Sequence, residues 1–280
     1  MRSLLCVPAS KPSMLQKALG THVDQIIIDL EDSVIPTDKA QARENIREFL
    51  WLLQTDKKIS IRVNERSSLE AKPDRQLIRA MRGSALSSVI LPKIHTIEDL
   101  RYWNRYIPKE LEMEVQIESA LGLVNTAVIA AYPRVASLAF GPADFMASTG
   151  MPSAALGTPW KEALKALEYP LSEIVIAAHA HGKLAYDGPY FEIANHVGLS
   201  EAATTARALG GDGKWAIHPD QIALINEVFT PSAQEIAAAE GIIAAFNNSS
   251  GAANYNGLMI DEASKKVAER LLERATQIRK

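Results

Sequence analysis

Residues 25–34 read QIIIDLEDSV: Ile26, Ile27, Ile28 and Leu30 belong in a core, yet Asp29, Glu31 and Asp32 follow directly. Unpaired carboxylates are costly to bury. The apolar half reads as a short strand, and the acids mark the place where it surfaces. The same grammar recurs along the chain. SLLCVP (3–8), KISIRVN (58–64), SSVILPK (87–93), MEVQIES (113–119), VASLAFG (135–141), KLAYDGP (183–189) and KWAIHP (214–219) are short aliphatic runs ended by Pro, Gly, Asn, Ser or a charge. With 25–30 they make eight expected strands.

Helical patterns separate them. Residues 37–54, 120–132, 160–182 and 195–211 carry helical spacing or composition, with Pro170 expected to kink or divide the third and Gly210–Gly211 to stop the fourth. Alternating strands and helices imply parallel strands with helical crossovers. Eight such units in 280 residues fit an α/β (β/α)8 TIM barrel, which takes about 250. The competitor is a doubly wound sheet, but no GxGxxG or GxxxxGK[ST] turn follows a first strand. The expected catalytic barrel spans 1–246, with helical segments at 219–228 and 232–246 closing it. A polar stretch at 247–257, NNSSGAANYNG, reads as a flexible linker, and an amphipathic helix at 261–279 as a C-terminal lid within 247–280.

Composition narrows the function. A net charge of −3 with a pI near 6.1 and scattered basic residues exclude a general nucleic-acid or anionic-membrane binder. A single cysteine, Cys6, permits neither an intrachain disulfide nor a cysteine-based zinc site. The apolar run in MRSLLCVPAS is too short for a signal-peptide core, and no stretch reaches spanning length. A cytoplasmic protein is expected.

Polar residues cluster at strand ends: Asp29, Glu31 and Asp32 after the second, Arg62 and Asn64 after the third, Lys93 after the fourth, Glu118 after the fifth. Asp144, Asp187 and His218 follow the sixth, seventh and eighth. In a barrel all these ends share one rim, where barrel enzymes keep their active sites. One carboxylate behind a strand is usually a helix cap, as for Asp32 or Asp99 taken alone. His22, His95, His179, His181 and His196 read as ordinary hydrogen-bonding residues, Trp51 and Trp103 as packing, and His218 as a loop or substrate residue. Glu118 and Asp144 stand apart. Two carboxylates on adjacent strand ends, with few soft ligands nearby, suit Mg²⁺, which takes one or two carboxylates, waters and substrate oxygens. Asp29, Glu31 and Asp32 are placed to hold its waters. Arg62 and Lys93 oppose them with positive charge, and Asp29, Arg62, Lys93 and Asp187 are the candidate substrate-binding residues. Such a site holds a small acid and stabilises a developing enolate.

The ordered set RSLLCVPASKPSMLQKAL, IIIDLEDSV, IRVN, LPK, QIESALGLVN, AFGPADF, AYDGPY, GKWAIHPDQI and NGLMIDEA resembles the citrate lyase β-subunit family, with its malyl-, citramalyl- and citryl-CoA lyases, in the HpcH/HpaI aldolase superfamily. The resemblance covers nearly the whole chain. It implies a (β/α)8 barrel with Mg²⁺ on Glu118 and Asp144, and Arg62 on the acid substrate and the enolate oxygen. It further implies Glu31 and Asp32 on metal-bound water. Asp261 matches an aspartate that, in relatives, reaches a neighbouring subunit's site for acid–base chemistry, and relatives form homotrimers or hexamers. The usual proline two residues after that aspartate is replaced by Ala263.

The expected activity is Mg²⁺-dependent cleavage of a 3-hydroxy-3-carboxyacyl-CoA thioester into a 2-oxo acid and acetyl-CoA, catalysed by Arg62, Asp261, Glu31 and Asp32. Alternatives are a malate-synthase-like thioesterase, a thioester-independent 2-oxo acid aldolase and a non-catalytic subunit of a lyase complex.

Overall fold

The structure, a computed structural model, describes residues 1–152, 160–249 and 251–279. Its strands are β1 (Ser3–Pro8), β2 (Gln25–Asp29), β3 (Lys58–Arg62), β4 (Ser88–Leu91), β5 (Glu112–Ile117), β6 (Val135–Phe140), β7 (Leu184–Asp187) and β8 (Gly213–Ala216). They close in sequence order into one parallel barrel. All eight expected strands are present, and the (β/α)8 architecture is the observed one. Strand β2 is buried along its whole length, as parallel strands covered on both faces are.

Helices fill the crossovers: α1 (Pro12–Leu19), α2 (Lys39–Trp51), α3 (Ala71–Ala80), α4 (Ile97–Asn104), α5 (Ala120–Val124), α6 (Thr126–Ala130), α7 (Pro142–Thr149), α8 (Trp160–Ala180) and α9 (His196–Ala208). The helix expected over 120–132 is two short ones. They break at Asn125, whose side-chain amide donates to the His95 carbonyl at 2.9 Å. Pro170 does not divide α8, which runs through it. Trp103 is fully buried, as packing requires, whereas Trp51 is exposed at the end of α2.

Inside the barrel an apolar layer of Leu4, Ile27, Ile90, Ala139, Tyr186 and Trp215 separates the rim from a polar layer below. That lower layer centres on Glu114, which accepts hydrogen bonds from Gln25 Nε2 at 2.9 Å, Ser88 Oγ at 2.5 Å and Ser137 Oγ at 3.2 Å. Lys58 Nζ lies 3.1 Å from it. Removing one partner of a buried charged pair leaves the others unsatisfied and costs about 3–5 kcal/mol. Glu114→Ala is therefore expected to lower stability by about that amount, read as an earlier denaturant midpoint; an unchanged midpoint would show the layer to be dispensable.

Contacts divide the chain into two compact units, Met1–Asn226 and Glu227–Lys280, with α10 (Ile222–Phe229) at the division. In the second unit α11 (Ala233–Asn247) packs with α12 (Glu262–Arg279). The stretch read as a linker, of which Ser250 lies outside the described residues, is paired over its second half. There β9 (Ala253–Tyr255) and β10 (Leu258–Ile260) form an antiparallel hairpin. Its turn is Asn256–Gly257, both at positive φ, the dipeptide that tight hairpins favour. Tyr255 lies against Gly241 of α11, where any side chain would collide with its ring. Among the described residues no helix is long and apolar enough to cross a membrane.

Candidate active site

A cavity of about 370 Å³ opens at the C-terminal end of the strands, lined among others by Asp29, Asp32, Arg62, Glu118, Asp144 and Trp215. Strand register builds it. Asp29 and Arg62 are adjacent across β2 and β3 and pair bidentately, Nε to Oδ1 at 2.6 Å and Nη2 to Oδ2 at 2.7 Å. Burial would raise the Asp29 carboxyl. The charge and bonds of Arg62, with donors from Ser33 and the Glu31 N–H, hold it below the usual carboxylate range. Asp29 is thus the anchor of Arg62, with both oxygens engaged. The third guanidinium nitrogen, Nη1, stands 3.3 Å from Glu31 Oε2, and the Trp215 ring lies 5.7 Å away.

Glu31 is buried, and its other oxygen accepts from Lys93 Nζ at 2.7 Å. Its Oε2 is buried and receives no hydrogen bond. Burial pushes its carboxyl up to about 7, with Arg62 and Lys93 only partly offsetting burial and the charge of Asp32. Asp32 is exposed, 3.5 Å from Lys93 Nζ. Lys93 itself sits just past β4 with φ 50°, a left-handed conformation that costs a non-glycine residue about 1–2 kcal/mol. Its ammonium is committed to Glu31 and Asp32, not presented alone to a substrate.

Glu118 follows β5 and is buried. Its Oε1 accepts from the Lys93 backbone N–H at 2.5 Å, and its Oε2 from Gln116 Nε2 at 3.3 Å. Gly141, at the end of β6, lets that second oxygen stand where any side chain would collide with it. Burial, then the charges of Glu31 and Asp144, push the Glu118 carboxyl up to about 8. Asp144 lies in the first turn of α7, which Pro142 starts. Burial also raises it, against Lys93 and with Asp32. Mutually repelling carboxylates lining one cavity, Glu118 buried and seated against a bare glycine and Asp144 adding its charge to it, fit a hard dication. Among the described residues no three His, Cys, Asp or Glu side chains converge as a ligand cluster, and Mg²⁺, which keeps several waters, needs only one or two carboxylates.

Other candidates fall elsewhere. Asp187 is paired in register with Lys214 and hydrogen-bonded to its buried ammonium, while its second oxygen accepts from the Gly188 N–H at 2.8 Å. It is not part of the cavity lining, and the partner on β8 explains why a rim carboxylate is structural here. His218 Nδ1 accepts from the Asp220 N–H at 3.3 Å and caps the following turn. Asp99 caps α4 through the Thr96 N–H at 3.0 Å. Asn64 is buried, donating to Asp74. In the second unit Asp261 is exposed and caps α12, accepting from Ser264 N at 2.9 Å and Ser264 Oγ at 3.0 Å. The Ser264 N–H, then its hydroxyl, hold the Asp261 carboxyl below the usual range.

Three contributors escaped the sequence reading. Lys39, buried on α2, donates to the Leu30 carbonyl at 2.8 Å and the Glu31 carbonyl at 3.0 Å, fixing the acid loop from behind. Gln116 braces Glu118 from two residues upstream. Cys6 lines the cavity, its thiol pushed up to about 12 by burial and then Asp29, which keeps it protonated and unreactive.

This geometry has relatives. An L-malyl-CoA/beta-methylmalyl-CoA lyase of Cereibacter sphaeroides is 35% identical, covering 99% of this chain and 95% of its own. A (3S)-malyl-CoA thioesterase of the same species is 33% identical with the same coverages. CitE of Mycobacterium tuberculosis, solved with magnesium, acetoacetate and coenzyme A, superposes with a TM-score of 0.83 at 29% identity, covering 98% of each chain. Residues 2–219 match the sequence model of one family, and with relatives this similar over the full length the chain belongs to the HpcH/HpaI aldolase/citrate lyase family.

Proposed function

We propose that this chain is a magnesium-dependent carbon–carbon lyase that cleaves a malyl-type 3-hydroxy-3-carboxyacyl-CoA into a 2-oxo acid and acetyl-CoA. The observation that carries it is the meeting of Glu118, Asp144 and Arg62 in one cavity at the barrel rim. The lyase relatives and the CitE complex with magnesium and coenzyme A support it.

Glu118 and Asp144 would hold the ion, which when bound supplies Lewis acidity at the substrate's hydroxyl and carboxylate. Removing the hydroxyl proton sends its electron pair into a carbonyl as the bond between C2 and C3 breaks. The electrons of that bond pass to the thioester as an enolate. Arg62, its Nη1 turned from the Asp29 clamp, is placed to stabilise the enolate oxygen. Glu31, ionised above about pH 7, suits the proton-accepting role at neutral pH. Protonation of the enolate carbon completes acetyl-CoA. Asp261 acts in that proton transfer across a subunit boundary of a homotrimer or hexamer, a role its exposure permits. Asp261→Asn keeps a good helix cap and removes the titrating group. Turnover is expected to fall by about 10²–10⁴ with magnesium affinity intact, and full activity would remove Asp261 from the chemistry.

A second reading, thioester hydrolysis, is favoured by the alignments. At the same coverages that with the lyase spans 309 positions and that with the thioesterase 282, so the thioesterase aligns with fewer gaps. Offering malyl-, citramalyl- and citryl-CoA with Mg²⁺ and identifying the products decides. Acetyl-CoA with a 2-oxo acid supports the lyase; free CoA with the intact hydroxy acid supports hydrolysis.

A further inference from the structure

Lys93 touches two carboxylates of the rim by two different parts of itself. Its backbone N–H meets Glu118 Oε1 at 2.5 Å and its ammonium meets Glu31 Oε1 at 2.7 Å. Glu118 follows β5, next to β4, whereas Glu31 follows β2, two strands to the other side. Among the described residues only Lys93 and Asn256 are non-glycines at positive φ. Asn256 sits in a hairpin turn, where that conformation is ordinary. A lysine has no such excuse, and an ion pair with Glu31 would not by itself require one.

The left-handed turn links the two contacts. It follows Pro92, just past the end of β4, and its rotation about the Lys93 N–Cα bond sets how the side chain that reaches Glu31 points relative to the N–H that meets Glu118. With Oε1 held by that N–H, and Oε2 braced by Gln116 Nε2 at 3.3 Å and seated against Gly141, the Glu118 carboxylate is fixed at the wall of the cavity. We propose that Lys93 is a positioning residue, whose ammonium tether to Glu31 sustains the left-handed turn that in turn fixes Glu118 for a divalent cation. The inference rests on the magnesium reading of the site. It differs from a substrate-binding role for the ammonium, because its effect on the metal is exerted through Glu118.

Charge alone makes the opposite forecast, which gives the test its sign. Removing an ammonium beside a cation site should tighten Mg²⁺ by relieving repulsion. Positioning predicts weakening, but only where the backbone can relax. Lys93→Ala loses the tether while its Cβ still disfavours positive φ, so the turn relaxes and Glu118 loses its donor. Lys93→Gly loses the same tether, yet glycine holds the turn without strain. Measured by calorimetry on the full-length protein with MgCl₂, Lys93→Ala should bind about 10–100-fold more weakly than wild type, the range for loss of a ligand's support. Lys93→Gly should bind as tightly as wild type or tighter. Should Lys93→Ala not fold, Lys93→Met keeps the stem and takes its place. Equal loss in both variants, or loss in neither, overturns the proposal. A wild-type protein that binds magnesium without cleaving any thioester overturns the lyase reading alone. One that binds no magnesium overturns both.

Discussion

Glu118→Gln is expected to abolish magnesium binding while making the metal-free protein more stable at alkaline pH. Glutamine matches the shape of glutamate and can still accept from the Lys93 N–H through its amide oxygen, so the rim is preserved. What it lacks is charge. Losing groups that merely support a ligand costs 10–100-fold in affinity, so losing the ligand itself should cost more than about 10²-fold, and thioester cleavage should fall with it. The stability half follows from linkage. In the folded chain this carboxyl titrates at about 8, against an ordinary value of 4.5. As pH rises from 4.5 to 8 the unfolded chain gives up this proton before the folded one does, so the group increasingly disfavours folding, fully so above 8. Below 4.5 both states are protonated and the penalty vanishes. A bound dication reverses the sign by stabilising the ionised form. Without magnesium at pH 8.5 the variant should therefore melt above wild type, and at pH 5 close to it. Added MgCl₂ should raise the wild-type Tm, more at pH 8.5 than at pH 6, and leave the variant unmoved. A magnesium-dependent gain that survives in Glu118→Gln would remove Glu118 from the metal site.

The residues behind that prediction were legible because barrels concentrate their information at strand ends. A parallel strand covered on both faces leaves an aliphatic run such as Ile26–Ile28, and the polar residue that ends it must lie at the rim. Adjacent strands then bring Asp29 to Arg62 and Glu118 toward Asp144 without any further signal. Support from elsewhere was not legible. Lys39 reads as one more polar residue of an amphipathic helix, and nothing local says that it is buried under Leu30 and Glu31. The Glu114 layer is hidden for a similar reason, since a carboxylate inside a strand reads as solvent-facing until Ser88, Ser137 and Gln25 are brought beside it. Asp187 looked like its neighbours on the rim, and only the β7–β8 register supplies the lysine that occupies it. Asn256–Gly257 carried a hairpin signal that the polar composition around it obscured. The left-handed backbone at Lys93 has no sequence signature at all, because lysine is not a residue that prefers it.

Arg62→Lys is expected to separate charge from geometry at the same rim. The substitution keeps a cation between Asp29 and Glu31 but not the planar fork. In the native site two guanidinium nitrogens are spent on Asp29, which fixes the direction of Nη1, 3.3 Å from Glu31 Oε2. An ammonium on a flexible stem cannot chelate one carboxylate and aim a separate donor at another atom. Drawn to buried Asp29, it would leave the enolate oxygen without its partner. Loss of one preorganised donor to a developing oxyanion costs about 10²–10³ in turnover, and that is the expected fall in kcat. Magnesium affinity should stay close to wild type, since Arg62 touches neither Glu118 nor Asp144. Stability should fall less than in Arg62→Ala, which would strand a buried carboxylate at about 3–5 kcal/mol. The decisive quantity is kcat measured at saturating thioester and magnesium. If lysine supports turnover within about tenfold of arginine, then positive charge at this position suffices, and the role assigned to the fork and to its Asp29 anchor is wrong.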